Sequence, residues 1–280
     1  MTFNSREHAV HRLRKQMSER STRPFMARGS NLKRCDNCLL ALRVCLCGWQ
    51  PQLATPVGFA LLMHPLEPLK PTNTGRLIAD CVEATYAYVW SRMQTDPQLE
   101  QLLADPQWQA YVVFPEEYGQ PGQPVVADLP HRDVFEREGT KPLLIILDGT
   151  WTQARKMFRK SPCLAGLPIL SLRTEQLSRY RLRRSCREEH LCTVEVAAAC
   201  LALAGHDVDA QLLGDYFDLF TEAYLASRAN RAMVMGTLAH QRLADHLGTS
   251  SAALSDVQQA HAGQVPGSDG VLSTKAPTGQ

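Results

Sequence analysis

The sequence has no uninterrupted apolar run approaching the roughly 18 to 20 residues of a membrane span. Its N-terminus has no apolar core of the kind a secretion signal needs, and Glu7 and Glu19 argue against an organellar transit peptide. No internal repeat is apparent, so a stacked-repeat architecture is not expected. Net charge is also scarce, with 30 Lys and Arg against 28 Asp and Glu, a formal total of +2. These absences leave a soluble, cytoplasmic protein as the expectation. The 44% hydrophobic content is ordinary for a globular chain, and 280 residues suffice for one large domain with appendages or two small domains.

The charge is small in total but unevenly placed. Residues 1–34 hold nine Lys and Arg against Glu7 and Glu19, a local net of +7, and read as a basic flexible arm suited to nucleic acid. At the other end, residues 249–280 turn to Ser, Ala, Gly, Gln and Pro with few large apolar residues and are expected to form a disordered tail.

Four of the nine cysteines, Cys35, Cys38, Cys45 and Cys47, fall within thirteen residues. A Cys-x-x-Cys turn lets two sulfurs converge on one tetrahedral ion, and a second pair a short loop away closes the site, so residues 35–50 read as a structural zinc knuckle. A redox dithiol would need only two of them, in a thioredoxin-like context that is absent. Cys81 and Cys200 lie in apolar helical patterns and read as core.

The stretch that organises the chain is Leu143–Leu147, five apolar residues followed by Asp148-Gly149-Thr150-Trp151. The run fits a strand buried on both faces of a parallel sheet. Thr150 is placed to cap a helix with Trp151, Ala154, Met157 and Phe158 on one side and Arg155, Lys156, Arg159 and Lys160 elsewhere. Ligands of open α/β sheets collect at the carboxyl ends of strands, where Asp148 sits. As a lone Asp-Gly after a strand, Asp148 would read as a turn residue; the basic helix behind it favours a site.

Further strands are predicted over 56–63, 110–114 and 167–172, giving an α/β fold with a mostly parallel sheet flanked by helices. Asn73 and Thr74 are placed to cap a helix running through Leu77 to Val89, with Arg76 near its start able to pair with an anion. On this segment alone, a helix cap with an exposed arginine fits equally well, and His64 fits a turn. A short helix is expected near 134–137. Between Arg173 and Arg187, six arginines including Arg179, Arg181, Arg183 and Arg184 surround Tyr180 with Glu175 the sole acid, a pattern suited to phosphate pairing and base stacking. Thr193 is placed to cap a helix ending at Gly205, and a last helical region spans about 210–246.

Taken together, the cysteine set, His64-Pro65-x-Glu67, Asn73-Thr74-Gly75-Arg76-Leu77, Asp148-Gly149-Thr150-Trp151 and Thr193-Val194-Glu195 resemble the DTW-domain family. The resemblance covers Cys35 to the final helix, with the catalytic domain at 51–248. It implies a fold related to the knotted methyltransferase-like superfamily. It also implies a tRNA-uridine aminocarboxypropyltransferase that moves the 3-amino-3-carboxypropyl group of S-adenosylmethionine onto N3 of a uridine. Under it, Asp148 serves as base or orienter, with Thr150 and Trp151 as contacts to cofactor or base. His64, Asn73, Thr74, Gly75, Arg76, Gly149, Thr193 and Glu195 surround the cofactor; Arg155, Lys156, Arg159, Arg179, Arg181, Arg183 and Arg184 meet RNA. Cys192 stands where the family often has serine. Two rival readings remain: a methyltransferase using the same cofactor, and a non-catalytic zinc-containing RNA-binding protein.

Overall fold

The computed structural model describes residues 7–22, 32–173 and 191–263. Its centre is a six-stranded, all-parallel sheet in the order β2-β1-β5-β3-β6-β4, where β1 is Gly58–Met63, β2 Thr85–Val89, β3 Trp108–Val113, β4 Val125–Val126, β5 Lys141–Asp148 and β6 Ile169–Leu170. The helices are α1 (Ala9–Arg20), α2 (Gly75–Cys81), α3 (Pro97–Ala104), α4 (Arg132–Glu138), α5 (Trp151–Arg159), α6 (Thr193–Leu203), α7 (Asp207–Arg228), α8 (Leu238–His246) and α9 (Ser251–Gly263). A parallel sheet covered on both faces needs strands apolar at every position, and β5 meets this demand. Leu143, Ile145 and Leu147 join the core shared with α3 and α5, while Leu144 and Ile146 join the core shared with α2, α6 and α7. The period of two then aims Asp148 at the second side.

The register pairs Met63 of β1 with Asp148, so two central strands end together. From β1 the chain winds outward to β2, then crosses to the other side of β5 to build β3. That reversal opens a crevice at the carboxyl ends of β1, β5 and β3, the usual ligand position in such sheets.

Several expected elements differ in the structure. The helix foreseen through Val89 stops at Cys81; Val82 is extended, and Thr85–Val89 forms the edge strand β2 instead. Its β-branched and aromatic residues favour a pleated strand over a helix. The last helical region is two helices, α7 and α8, separated by a turn in which Asn230 and Gly236 take positive φ (51° and 72°). The arm expected over 1–34 is not wholly flexible: Ala9–Arg20 is α1, packed against β2 and the Glu67–Leu69 turn through buried Val10 and partly buried Leu13. His8 caps it and bonds Asp80 Oδ1 through Nε2 at 2.9 Å. The expected tail likewise starts with α9, which packs on α8 and on the Leu42–Val44 turn of the cysteine knuckle, with Ser251 Oγ donating to His240 O. Composition understated both segments because few apolar residues suffice when a preformed surface receives them.

Candidate active site

β5 delivers Asp148 to the crevice with only 3% of its surface exposed. Thr193 Oγ1 donates to its Oδ1 at 2.5 Å and Asn73 Nδ2 to its Oδ2 at 2.6 Å. Its backbone carbonyl accepts from His64 N at 2.8 Å. Burial raises the carboxyl pKa to about 6; the Thr193 and Asn73 bonds oppose this, while the nearby Glu67 charge adds to it. A carboxylate so poised exchanges a proton near neutrality.

Each partner has a local cause. Thr193 is free for Asp148 because Cys192, not Thr193 as the spacing suggested, is the N-cap of α6; Glu195 reaches back to accept from Cys192 N at 2.8 Å. Asn73 uses its Oδ1 to accept from Arg76 N at 2.9 Å, closing the first turn of α2 and turning its amide nitrogen toward Asp148. Gly75 lies so close that an added Cβ would stand 2.7 Å from Asp148 Oδ2. Thr150 caps α5 as the sequence suggested: its hydroxyl accepts from Gln153 N at 3.4 Å, and Gln153 Oε1 accepts from Thr150 N at 2.8 Å.

Asp148 opens into a cavity of about 470 Å³ lined among others by Glu67, Asn73, Thr74, Phe114, Glu117, Gly149, Trp151, Leu172, Cys192 and Thr193. One wall is aromatic: Phe158 stacks on Phe114 (4.5 Å between centroids), Phe114 on Trp151 (5.4 Å), and Tyr118 meets Trp151 edge-on. The described lining carries three carboxylates and no Lys or Arg, so the site favours a cationic ligand.

The structure brings Asp148, Asn73, Thr74, Gly75, Gly149, Trp151 and Thr193 together. It keeps others apart. Arg76 faces away: 1% exposed, it pairs with Asp80 Oδ2 at 2.5 Å, and its guanidinium lies 5.6 Å from the Phe220 ring. Arg76 follows Gly75 by one residue, about 100° around α2, which takes its side chain off the Gly75 side. Thr150 and Glu195 act as helix caps, and His64 contributes its backbone beside Gly149. Arg155, Lys156 and Arg159 are exposed on α5, with Arg155 over the Tyr118 ring at 5.1 Å and Lys156 over Trp90 at 5.9 Å. Arg179, Arg181, Arg183 and Arg184 lie outside the described residues. Sequence reasoning assigned no role to Phe114 or Glu117, although they follow β3, next to β5, and the same strand-end rule that marks Asp148 marks them.

The four knuckle cysteines are buried, and their sulfurs all lie within 4.8 Å of one another. Cys35 and Cys47 Sγ are 3.6 Å apart and Cys38 and Cys45 Sγ 3.7 Å. A tetrahedral zinc with bonds of ~2.3 Å requires edges of about 3.8 Å; a disulfide needs ~2.0 Å. The set therefore fits a tetrahedral metal. Leu39, at φ 58°, makes the turn that brings Cys38 around, donating its N–H to Cys35 O at 2.9 Å. No described helix is long and apolar enough to cross a membrane.

With this geometry in place, comparison with known proteins is decisive at one point: the model of the DTW domain matches residues 32–225. The chain belongs to the DTW domain family. It is similar to a Drosophila melanogaster protein named tRNA-uridine aminocarboxypropyltransferase 2, at 27% identity over 177 residues, 61% of this chain and 66% of the relative. Proteins of the same name from Macaca fascicularis and Mus musculus are 26% and 24% identical over 175 and 173 residues, each 60% of this chain and 55% of the relative. The chain thus spans between 55% and 66% of the length of these curated relatives. No solved structure matches it. The motif that names the DTW family is the segment that carries Asp148 into the cavity.

Proposed function

We propose that this DTW protein is a cytoplasmic tRNA-uridine aminocarboxypropyltransferase that moves the 3-amino-3-carboxypropyl group of S-adenosylmethionine to N3 of a uridine. The observation that carries the reading is the buried Asp148, with a pKa near 6, fixed by Thr193 and Asn73 at the mouth of a cavity that favours cations. A sulfonium is a cation and already a good leaving group, so the protein has to align the methionine Cγ with the nucleophile and take one proton. The uracil N3–H proton passes to the Asp148 carboxylate, the N3–Cγ bond forms, and the Cγ–S bond breaks to release neutral methylthioadenosine. Trp151 and Phe114 offer the flat apolar surface on which a nucleobase or the adenine would stack.

The names borne by the relatives agree with this reaction and with tRNA as the acceptor. In the same reading, Cys35, Cys38, Cys45 and Cys47 hold a structural zinc, since four thiolates leave no open position for catalysis. Arg155, Lys156 and Arg159, exposed on the helix behind Asp148, meet the RNA backbone, as do Arg179, Arg181, Arg183 and Arg184.

Incubation with undermodified tRNA and S-adenosylmethionine, followed by nucleoside mass spectrometry, tests the reading. A uridine heavier by one aminocarboxypropyl group, with release of methylthioadenosine, is expected. A methylated uridine with release of S-adenosylhomocysteine would establish the methyltransferase instead, and unchanged nucleosides with retained tRNA binding would leave an RNA-binding protein.

A further inference from the structure

The active-site cavity, with three carboxylates and no Lys or Arg in its described lining, repels phosphate, so a polyanionic acceptor needs its holding charges elsewhere. A second cleft supplies them. It encloses about 140 Å³ at the carboxyl end of β2 and is lined among others by Trp90, Arg92, Asp96, Lys160 and Ser161. Val89, Met63 and Asp148 stand level across β2, β1 and β5, so this end of β2 lies two strand spacings, about 10 Å, from Asp148.

The floor of the cleft is fixed in place. Trp90, 8% exposed, donates its indole N–H to Ser161 Oγ at 2.9 Å, and Ser161 donates to Met157 O at 2.7 Å, which ties the end of β2 to the end of α5. Lys160 N also bonds to Lys156 O and Met157 O, so two carbonyls of the last turn of α5 that would otherwise oppose an anion are engaged. Asp96, the acid in the lining, is occupied as the N-cap of α3, accepting from Gln98 N at 2.9 Å, whereas Arg92 and Lys160 are exposed. Lys156 Nζ stands over the Trp90 ring at 5.9 Å. Burial lowers the His64 pKa, the Glu67 charge opposes this, and the charges of Lys70 and Lys156 add to it. Lys156 therefore bears both on the cleft and on the residue whose N–H bonds Asp148 O.

We propose that this cleft seats a backbone phosphate of the acceptor RNA close to the nucleotide presented to Asp148, with Arg92 and Lys160 holding it and Lys156 alongside. The inference rests on the reading above that RNA is the acceptor, and adds to it a defined seat beside the reacting centre. The Arg92 guanidinium supplies a planar fork for two phosphate oxygens and the Lys160 ammonium a mobile point charge. A phosphate contact carries no sequence information but fixes the register and orientation of the strand. The cleft lies on the α5 side of the sheet and Asp148 is aimed at the other, both at the carboxyl ends of the strands, so a strand anchored in the cleft crosses the end of β1 to bring its base to the cavity.

The test is filter binding of undermodified tRNA to the full chain over a range of salt, for the unaltered protein, the double variant Arg92→Ala with Lys160→Ala, and Lys141→Ala, an exposed lysine at the opposite end of β5. The double variant should bind tRNA roughly tenfold or more weakly at low salt, lower the slope of log affinity against log salt by about one, and bind S-adenosylmethionine as the unaltered protein does. Lys141→Ala should change none of the three. Unchanged affinity and slope in the double variant would overturn the seat, as would an equal loss in Lys141→Ala, which would mean diffuse attraction by net charge. The expected losses without release of methylthioadenosine on addition of S-adenosylmethionine would keep the seat and remove the transfer reaction; no tRNA binding by the unaltered protein would remove both.

Discussion

The Thr193 hydroxyl donates to Asp148 Oδ1 at 2.5 Å, joining the first turn of α6 to the end of β5 across 45 residues of sequence. This bond favours the ionised carboxylate, whereas burial favours the protonated one, and the balance leaves the group near 6. As a base it must be deprotonated, so activity is expected to fall as pH drops through about 6. Removing the hydroxyl by Thr193→Val takes away a hydrogen bond that lowers the pKa. The midpoint of the acid limb should then move upward by about one pH unit, read from kcat/KM against pH. An unmoved or downward-shifted limb would separate Asp148 from the rate.

Asp148→Asn removes the proton acceptor while keeping size. Transfer should drop on the order of 10² to 10⁴, with circular dichroism and binding of S-adenosylmethionine retained. Full activity in this variant would mean that Asp148 only orients the substrate.

Gly75→Ala places a methyl 2.7 Å from Asp148 Oδ2, inside contact distance. Both atoms belong to packed elements, so α2 or the carboxylate has to shift, at about 1 to 3 kcal/mol. Activity should fall by more than that stability loss explains, since the displacement falls on the carboxylate proposed as the base. Thermal melts paired with transfer assays at a temperature where both proteins are folded make the comparison.

Elemental analysis of protein purified without chelator should find one zinc per chain, and Cys38→Ser or prolonged chelation should lower the melting temperature. Substoichiometric metal with an unaffected Cys38→Ser would count against the site.

Charge reversal at Arg155 and Arg159 should weaken tRNA binding across tRNA sequences alike and flatten its dependence on salt. Filter binding from low to moderate ionic strength measures the slope; an unchanged slope would make this face of α5 a solvated surface.

Much of the architecture was legible because strand burial leaves a plain mark. Leu143–Leu147 fitted an interior strand, and the structure makes it one, with Asp148 at the carboxyl end that the sequence indicated. The Thr150 cap and the spacing of the four cysteines were equally local. What stayed hidden was long-range. Arg76, four residues before Asp80, looks like any arginine on a helix; only the fold supplies Asp80, Tyr216 and Phe220 around it. Thr193 looked like a cap because its preference for that role is strong, yet Cys192 took the position and freed the hydroxyl. β2 was misjudged because Ala84, Thr85 and Val89 continue the helical spacing of Leu77, Ile78 and Cys81, and sheet pairing with β1 prevailed.

The docking of α1 and α9 extends the packed unit of this chain beyond the segment that matches the family. The matched segment, 32–225, omits His8, which bonds the buried Asp80 of α2, and omits α9, which covers the knuckle turns. A protein trimmed to that segment would uncover Val10's seat on the core and leave Asp80 one partner short on the helix whose opening turn cradles Asp148. The segment that matches the family is therefore smaller than the packed unit, and trimming the chain to 32–225 should be expected to lower its melting temperature.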